Sequence, residues 1–272
     1  FQEKAMQKKF NRALITGASY GIGYEFAKLL AKMNVNLVIV SRSEKKLMEV
    51  KKEIENSYPV DVVIIPLDLS LPDSAETLFR KCEEKKLEID ILINNAGIGL
   101  FGKNIENPIE DIERLIFFNI LTLTKLCNLF GKKMAERKHG NILNVASMAS
   151  FVSFPFFAVY SATKSYVLSY SLSIRSELKD DNVNVTCLLP GFVKTNFDNN
   201  SKIESEKYKS FTRRIGMDAS KVAKIGIKAL MKGKAYTVTG FSNKILSLAI
   251  KFIPRTLIAD IVKKSVTRLT GN

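Results

Sequence analysis

The chain has 272 residues, 46% of them hydrophobic and 25% charged, with a formal net charge of +15. That apolar share can fill a core and excludes a disordered or low-complexity polymer, while the length fits one large α/β domain or two small ones. The positive charge favours anionic partners, but no zinc-finger spacing and no basic region leading into heptads is present, so nucleic acid is not expected.

In chain order, Phe1 to Ala5 lack the apolar core of a signal peptide and read as the remnant of a cleaved tag, with Met6 as the natural start. No uninterrupted apolar run reaches the ~18 residues of a membrane span. A first strand, Ala13 to Thr16, runs through Thr16-Gly17-Ala18-Ser19-Tyr20-Gly21-Ile22-Gly23 into a helix from Ile22 to Met33. Glycines in such a strand-to-helix turn let main-chain N–H groups approach a pyrophosphate at the positive end of the helix. Thr16, Gly17, Ser19, Tyr20, Gly21, Ile22 and Gly23 are therefore candidate cofactor contacts.

The second strand, Leu37 to Val40, is followed by Ser41 and Arg42, where a fold preferring NAD carries a carboxylate for the ribose 2′-hydroxyl. Arg42 can instead pair with a 2′-phosphate, which favours NADP(H) over NAD(H). A helix over Glu44 to Ser57, a strand over Val62 to Pro66, a helix over Ser74 to Lys86 and a strand over Ile91 to Asn94 follow. Next come one long helix, Pro108 to Glu136, and a strand, Asn141 to Ala146, with the lone His139 in the loop before it. A helix over Tyr160 to Lys179 and strands over Val183 to Leu189 and Tyr236 to Thr239 complete the pattern. Most of these strands are apolar throughout, as strands covered on both faces must be. The alternation predicts an α/β protein, a Rossmann-type doubly wound parallel sheet of about seven strands with helices on both faces. Thr195 to Met217 is polar with few strand signals and reads as a lid or substrate loop.

Tyr160-Ser161-Ala162-Thr163-Lys164 carries the chemistry, with Ser147 thirteen positions earlier at a strand end. Residues four apart share a helix face, about 5–6 Å between Cβ atoms. An ammonium beside a phenol lowers its pKa from ~10 and makes Tyr160 a usable general acid or base. Ser147 can hold a substrate oxygen within reach of Tyr160, and Lys164 is free to bond a nicotinamide ribose.

With these motifs in order, the chain resembles the short-chain dehydrogenase/reductase family, over roughly Lys9 to Met231. The resemblance implies an adenine contact from Asp68, next to Leu69, and a cofactor-lining turn at Asn94-Asn95-Ala96-Gly97. It implies that Asn119 holds a water linking Lys164 to solvent, and that Ser147, Tyr160 and Lys164 are catalytic. It further implies nicotinamide contacts from Val193 and Thr195 after the Pro190-Gly191 turn, and a homodimer or homotetramer built on the long helices. Tyr20 departs from the family, which commonly has a small residue there.

Phe151, Phe154, Phe156, Phe157, Phe192 and Phe197 crowd the reaction centre and suggest an apolar pocket for a hydrophobic ketone or a ketoacyl compound. Past Gly240 the chain leaves the family pattern. Leu246, Ile250, Ile253, Leu257, Ile261 and Leu269 alternate with Lys244, Lys251, Arg255, Lys263, Lys264 and Arg268 around Pro254, a basic amphipathic pair of helical segments. Such a stripe more often packs on the body or a second subunit than on a membrane; peripheral contact with an anionic membrane is the other reading. Cys82, Cys127 and Cys187, odd in number and widely spaced, argue against disulfides and for a cytoplasmic setting; no metal-ligand cluster is expected. The expected organisation is one reductase domain over 6–240 with a helical extension over 241–272. The expected activity is NADPH-dependent reduction of a carbonyl by hydride transfer, the alternative being a non-catalytic NADPH sensor or scaffold of the same fold.

Overall fold

The computed structural model describes residues 10–201 and 203–271, so the expectations for Phe1 to Ala5 and Met6 lie outside the described residues. Seven parallel strands form the main sheet: β1 (Arg12–Thr16), β2 (Asn36–Ser41), β3 (Val62–Pro66), β4 (Ile91–Asn94), β5 (Gly140–Val145), β6 (Val183–Leu189) and, after a short two-stranded ladder, β9 (Tyr236–Val238). Their spatial order is β3-β2-β1-β4-β5-β6-β9, the doubly wound arrangement expected. Alternate side chains feed two cores. Ala13, Ile15, Leu37, Ile39, Ile91 and Ile93 pack on one face against α1 (Gly21–Lys32) and α2 (Glu44–Ser57). Leu14, Val38, Val40 and Leu92 pack on the other against α3 (Ser74–Glu84) and the long helices described next. Two-sided burial explains why these strands read as continuous apolar runs.

The helix expected from Pro108 to Glu136 runs unbroken over Ile109–Glu136 but changes its hydrogen-bonding pattern midway. It comprises α4 (Ile109–Ile116), a π-helical segment at Phe117–Thr122 and α5 (Leu123–Glu136). The π segment coincides with a contact to a distant stretch of chain: the Asn119 carboxamide pairs with the main chain of Ile98, accepting from its N–H at 3.0 Å and donating to its carbonyl at 2.9 Å. A wider turn accommodates that docking. Ile109–Glu136 is long and apolar enough to cross a bilayer by length and composition, yet Leu115, Leu126, Phe130 and Met134 are buried against the rest of the fold.

Helix α6 (Ala158–Glu177) follows β5 and a 3-10 turn at Met148–Phe151. The stretch expected as a loop from Thr195 to Met217 is structured instead. It carries α7 (Phe197–Asn200) and α8 (Glu206–Ile215) between β7 (Val193–Lys194) and β8 (Met217–Asp218), which pair in parallel. Ser205 caps α8 by accepting from the Tyr208 N–H at 3.3 Å, and Tyr208 and Thr212, one turn apart, bury the inner face. Two buried positions in a polar helix leave little hydrophobic signal in the sequence. Helix α9 (Ala219–Met231) covers the first core. The tail forms α10 (Phe241–Ala249), a 3-10 turn at Ile250–Phe252 and α11 (Arg255–Thr270). The three cysteines are buried and free, and the ring of His139 stacks on Phe10 at 5.4 Å.

Candidate active site

The chain runs outward from β1 toward β3 and then from β4 toward β9, so the carboxyl ends of β1 and β4 open a crevice at the reversal. The turn from β1 into α1 is pinned at its start: the N–H groups of Gly17 and Ala18 both donate to the Val40 carbonyl, at 2.8 and 3.3 Å. Gly17 has φ +67°, and at Gly23 a β-carbon would collide with the Gly17 carbonyl, so both positions need glycine. Tyr20 leads into α1 without a side-chain cap, and no acidic residue stands in the first turn, which leaves the positive end of the helix to an anion. Ser19 and Ile22 are half-buried in this turn.

Thr16 and Asn95 bolt the two strand ends together. The Thr16 hydroxyl accepts from the N–H of Asn95 and of Ala96, both at 3.0 Å, and Asn95 Nδ2 donates to the carbonyls of Thr16 and Gly17 at 2.9 and 3.2 Å. The Asn95 side chain thus shapes the turn and has its N–H groups engaged. Arg42 stands exposed at the end of β2, and Lys46 lies over the Tyr20 ring at 5.7 Å. Asp68 Oδ1 accepts from the N–H and hydroxyl of Ser70 at 2.9 and 2.7 Å. Burial raises the Asp68 pKa, but the Ser70 bonds and the charges of Arg42 and Arg114 outweigh it, so the carboxyl stays below its ordinary value. Leu69 is buried in the second core, and its carbonyl accepts from the Thr122 hydroxyl at 3.0 Å.

Deeper in, Tyr160 and Lys164 share a face of α6, with Lys164 Nζ 5.8 Å from the Tyr160 ring centroid. Burial pushes the Tyr160 phenol up to about 12, a bond from Ser147 draws it down and Asp198 raises it further. Burial pulls Lys164 down to about 8, and its Nζ donates to the Val145 carbonyl at 2.9 Å. The acidification of Tyr160 by its lysine neighbour is therefore not seen in the chain alone, where desolvation dominates. Ser147 Oγ accepts from the Ala149 N–H at 3.1 Å, which leaves its proton free for Tyr160 or another oxygen. Asn119 Nδ2 also donates to Thr163 Oγ1 at 3.1 Å. Gly97 separates Asn119 from Lys164: a β-carbon there would lie 3.2 Å from Asn119 Oδ1 and 3.4 Å from Lys164 Nζ.

On the far wall, Thr195 faces the phosphate turn, its methyl 3.1 Å from where a β-carbon on Gly21 would sit. Val193 is half-buried in β7. The Pro190 carbonyl accepts from the Met148 N–H at 2.8 Å, and Gly191 abuts Asn243 of the tail. Rings line the remaining side. Phe157 and Phe197 lie 5.7 and 5.4 Å from Tyr160, Phe101 lies 5.2 Å from Phe157 and 6.0 Å from Tyr208, and Phe192 meets Tyr208 at 6.4 Å. Phe151 instead joins the second core. Sequence reasoning passed over Phe101, Thr163, Asp198 and Tyr208. Thr163 and Phe101 had a signal, the one inside the Tyr-to-Lys motif and the other just after the Asn-Asn-Ala-Gly turn; Asp198 and Tyr208 had none.

A family profile described as short chain dehydrogenase matches residues 11–206. The chain is 35% identical over 187 residues to the very-long-chain 3-oxoacyl-CoA reductase of Rattus norvegicus, a match covering 67% of this chain and 59% of that enzyme; the chain thus spans under two thirds of that relative. A short-chain dehydrogenase from Sphingobium yanoikuyae in complex with NADPH superposes with a TM-score of 0.79 at 27% identity, covering 85% of this chain and 88% of that one. A structure of 7beta-hydroxysteroid dehydrogenase superposes with a TM-score of 0.85 at 25% identity, covering 94% of this chain and 98% of that one.

Proposed function

The chain belongs to the short-chain dehydrogenase family, and from that premise we propose that it is an NADPH-dependent oxidoreductase that reduces the carbonyl of a hydrophobic ketone or ketoacyl compound to an alcohol. The observation that carries this reading is Tyr160, a neutral phenol set one helical turn from Lys164 and beside Ser147 in a cleft walled by aromatic rings.

The residues fit a dinucleotide: the Gly17–Gly23 turn offers close main-chain approach, and Gly97 and Gly21 leave space where a β-carbon would press on Lys164, Asn119 or Thr195. Thr16 to Gly23, Asp68, Asn95 to Gly97, Tyr160, Lys164 and Pro190 to Thr195 would hold it, with Arg42 toward a 2′-phosphate. Bound there, a reduced nicotinamide supplies the hydride and, once oxidised, a positive charge. Ser147, fixed by the Ala149 N–H, directs its proton to the substrate oxygen. Tyr160 keeps its proton at neutral pH because burial holds its pKa near 12, so it stands ready as the general acid for the developing alkoxide. Lys164, with a pKa of about 8, is mostly charged at neutrality and can return a proton to the phenolate. Asn119, locked between Ile98 and Thr163 beside Gly97, lines the path by which that proton is replaced.

Arg42, with no carboxylate taking its place at the end of β2, supports NADPH as the preferred donor. The NADPH complex of a structural neighbour points the same way. The ring cluster over Tyr160, with an acyl-CoA reductase and a hydroxysteroid dehydrogenase among the similar proteins, supports an apolar substrate body. Exposed Ile116, Leu121 and Leu172 on the long helices fit a homodimer or homotetramer built there, and the free cysteines fit a reducing compartment. The test is NADPH oxidation over a panel of hydrophobic ketones, with Tyr160→Phe alongside. The variant should lose roughly 10²- to 10⁴-fold in kcat and still bind NADPH by fluorescence titration. Full turnover in the variant refutes the role of Tyr160.

A further inference from the structure

The tail does not use its apolar residues as a packed helix pair would. On α10 and the turn after it, Phe241, Ile245, Leu248 and Phe252 fall at i, i+4, i+7 and i+11, one helical stripe. All four are exposed, Phe241 at 79% and Phe252 at 88%. Leu246, Ile253, Leu257 and Ile261 of the tail are exposed as well. The opposite faces are occupied: Asn243 abuts Gly191, Ser247 is buried, and Ile258 and Val266 of α11 are buried. The stripe is thus outward by construction, with its helices docked through other residues. The same tail carries six exposed cations, Lys244, Lys251, Arg255, Lys263, Lys264 and Arg268, against one exposed carboxylate, Asp260.

The same helices hold the wall of the cleft. Ser205, which caps α8, donates from its hydroxyl to the Leu269 carbonyl at 2.7 Å, and Lys207 Nζ donates to the Arg268 carbonyl at 2.9 Å. Leu269 packs in the cluster that contains Phe157, Tyr208, Phe101 and Tyr160. We propose that α10 and α11 form a docking platform for an anionic lipid bilayer, the stripe entering the acyl boundary and the cations meeting the headgroups, with the aromatic cleft beside it. Charge selects this occupant. A second copy meeting the same face would bring six cations against six, whereas an anionic leaflet complements both the stripe and the tail's cations. Adsorption itself does not depend on the proposed reaction; its use, entry of an apolar carbonyl compound from the membrane, does.

The test is cosedimentation of the full chain with vesicles of phosphatidylcholine alone or mixed equally with phosphatidylglycerol. The chain should pellet with the anionic vesicles, less so at high salt. Phe241→Ser with Phe252→Ser should weaken binding by at least roughly tenfold, and Lys244→Gln or Lys251→Gln by about fivefold each. Unchanged circular dichroism and melting temperature would show that these variants are folded. Failure of the wild type to pellet overturns the platform, as does undiminished binding by the phenylalanine variant. A self-association by ultracentrifugation that this variant abolishes, without vesicle binding, assigns the face to a second copy and overturns it too. Turnover of a water-soluble ketone, measured without vesicles, tests the reductase reading separately.

Discussion

On the cofactor side of the cleft, position is set by the main chain; on the substrate side, by rings. The turn between β1 and α1 is fixed by N–H groups held on Val40, by Thr16 and Asn95 bridging two strand ends, and by glycines whose β-carbons would strike carbonyl, amide or methyl groups. Each of those contacts admits one or two residue types. The substrate side is assembled from Phe101, Phe154, Phe157, Phe197 and Tyr208, drawn from three distant stretches of chain and held in loose ring-to-ring contact. Apolar packing tolerates exchange among residues of similar volume. Changes on the first side should therefore act sharply and on one ligand, and changes on the second gradually and across many.

The largest effect that would break this contrast is at Arg42. Arg42→Asp replaces a guanidinium suited to a 2′-phosphate with a group that repels one and accepts from a 2′-hydroxyl. Charge-assisted bonds of this kind correspond to roughly 10- to 100-fold in affinity, so kcat/KM for NADPH should fall by that factor while NADH improves. Measured with one ketone and both cofactors, an unchanged preference would mean that Arg42 is a solvated surface cation.

This contrast also explains what could be read from the sequence. The strands, the glycine turn and the Tyr160-to-Lys164 spacing obey strict local rules, and a doubly wound parallel sheet of about seven strands followed from the alternation of strands and helices. The π segment could not be read, because Phe117 to Thr122 has ordinary helical composition and the contact it coincides with lies in a distant stretch of chain at Ile98. The helices within the segment expected as a lid or substrate loop could not be read for a similar reason: α8 is stabilised by the Ser205 cap and two buried residues, too few to mark a period. The nearness of Tyr160 to Lys164 is legible in their spacing, but the burial that raises the phenol's pKa is not. The tail's periodicity was visible, but whether its apolar face turned inward or outward was not.

A second, smaller effect sharpens the boundary between the two sides. Lys164 titrates at about 8 in the fold, below its ordinary 10.5. At neutral pH both folded and unfolded chains hold that proton, so folding bears the full cost of burying the charge. As pH rises from 8 toward 10.5 the folded chain sheds it while the unfolded chain retains it, so this group's contribution to stability increases. Lys164→Met removes the term, whereas burial, the largest influence on Cys187, acts in both proteins. The stability advantage of Lys164→Met over wild type should shrink by about 1 kcal/mol between about pH 7 and about pH 9. Urea denaturation at the two values would show it; a gap that stays constant or widens means the ammonium is not desolvated.

The smallest effect belongs to the rings. Leu269 closes the aromatic cluster from the tail, and its carbonyl accepts from Ser205, which caps the lid helix α8. Leu269→Ala keeps that carbonyl and removes only part of a half-buried apolar side chain, so α8 stays capped while its seat over Phe157 and Tyr208 loosens. Loss of partial burial corresponds to about 1 kcal/mol, spread over lid and substrate, which predicts a two- to fivefold rise in KM for bulky ketones. KM for NADPH should not move, because the phosphate turn is held by Val40, Thr16 and Asn95, none of which touches the tail cluster. If KM for NADPH rises in step with that for the ketone, the lid and the phosphate turn move as one body and the division between main-chain and ring-built sides is wrong.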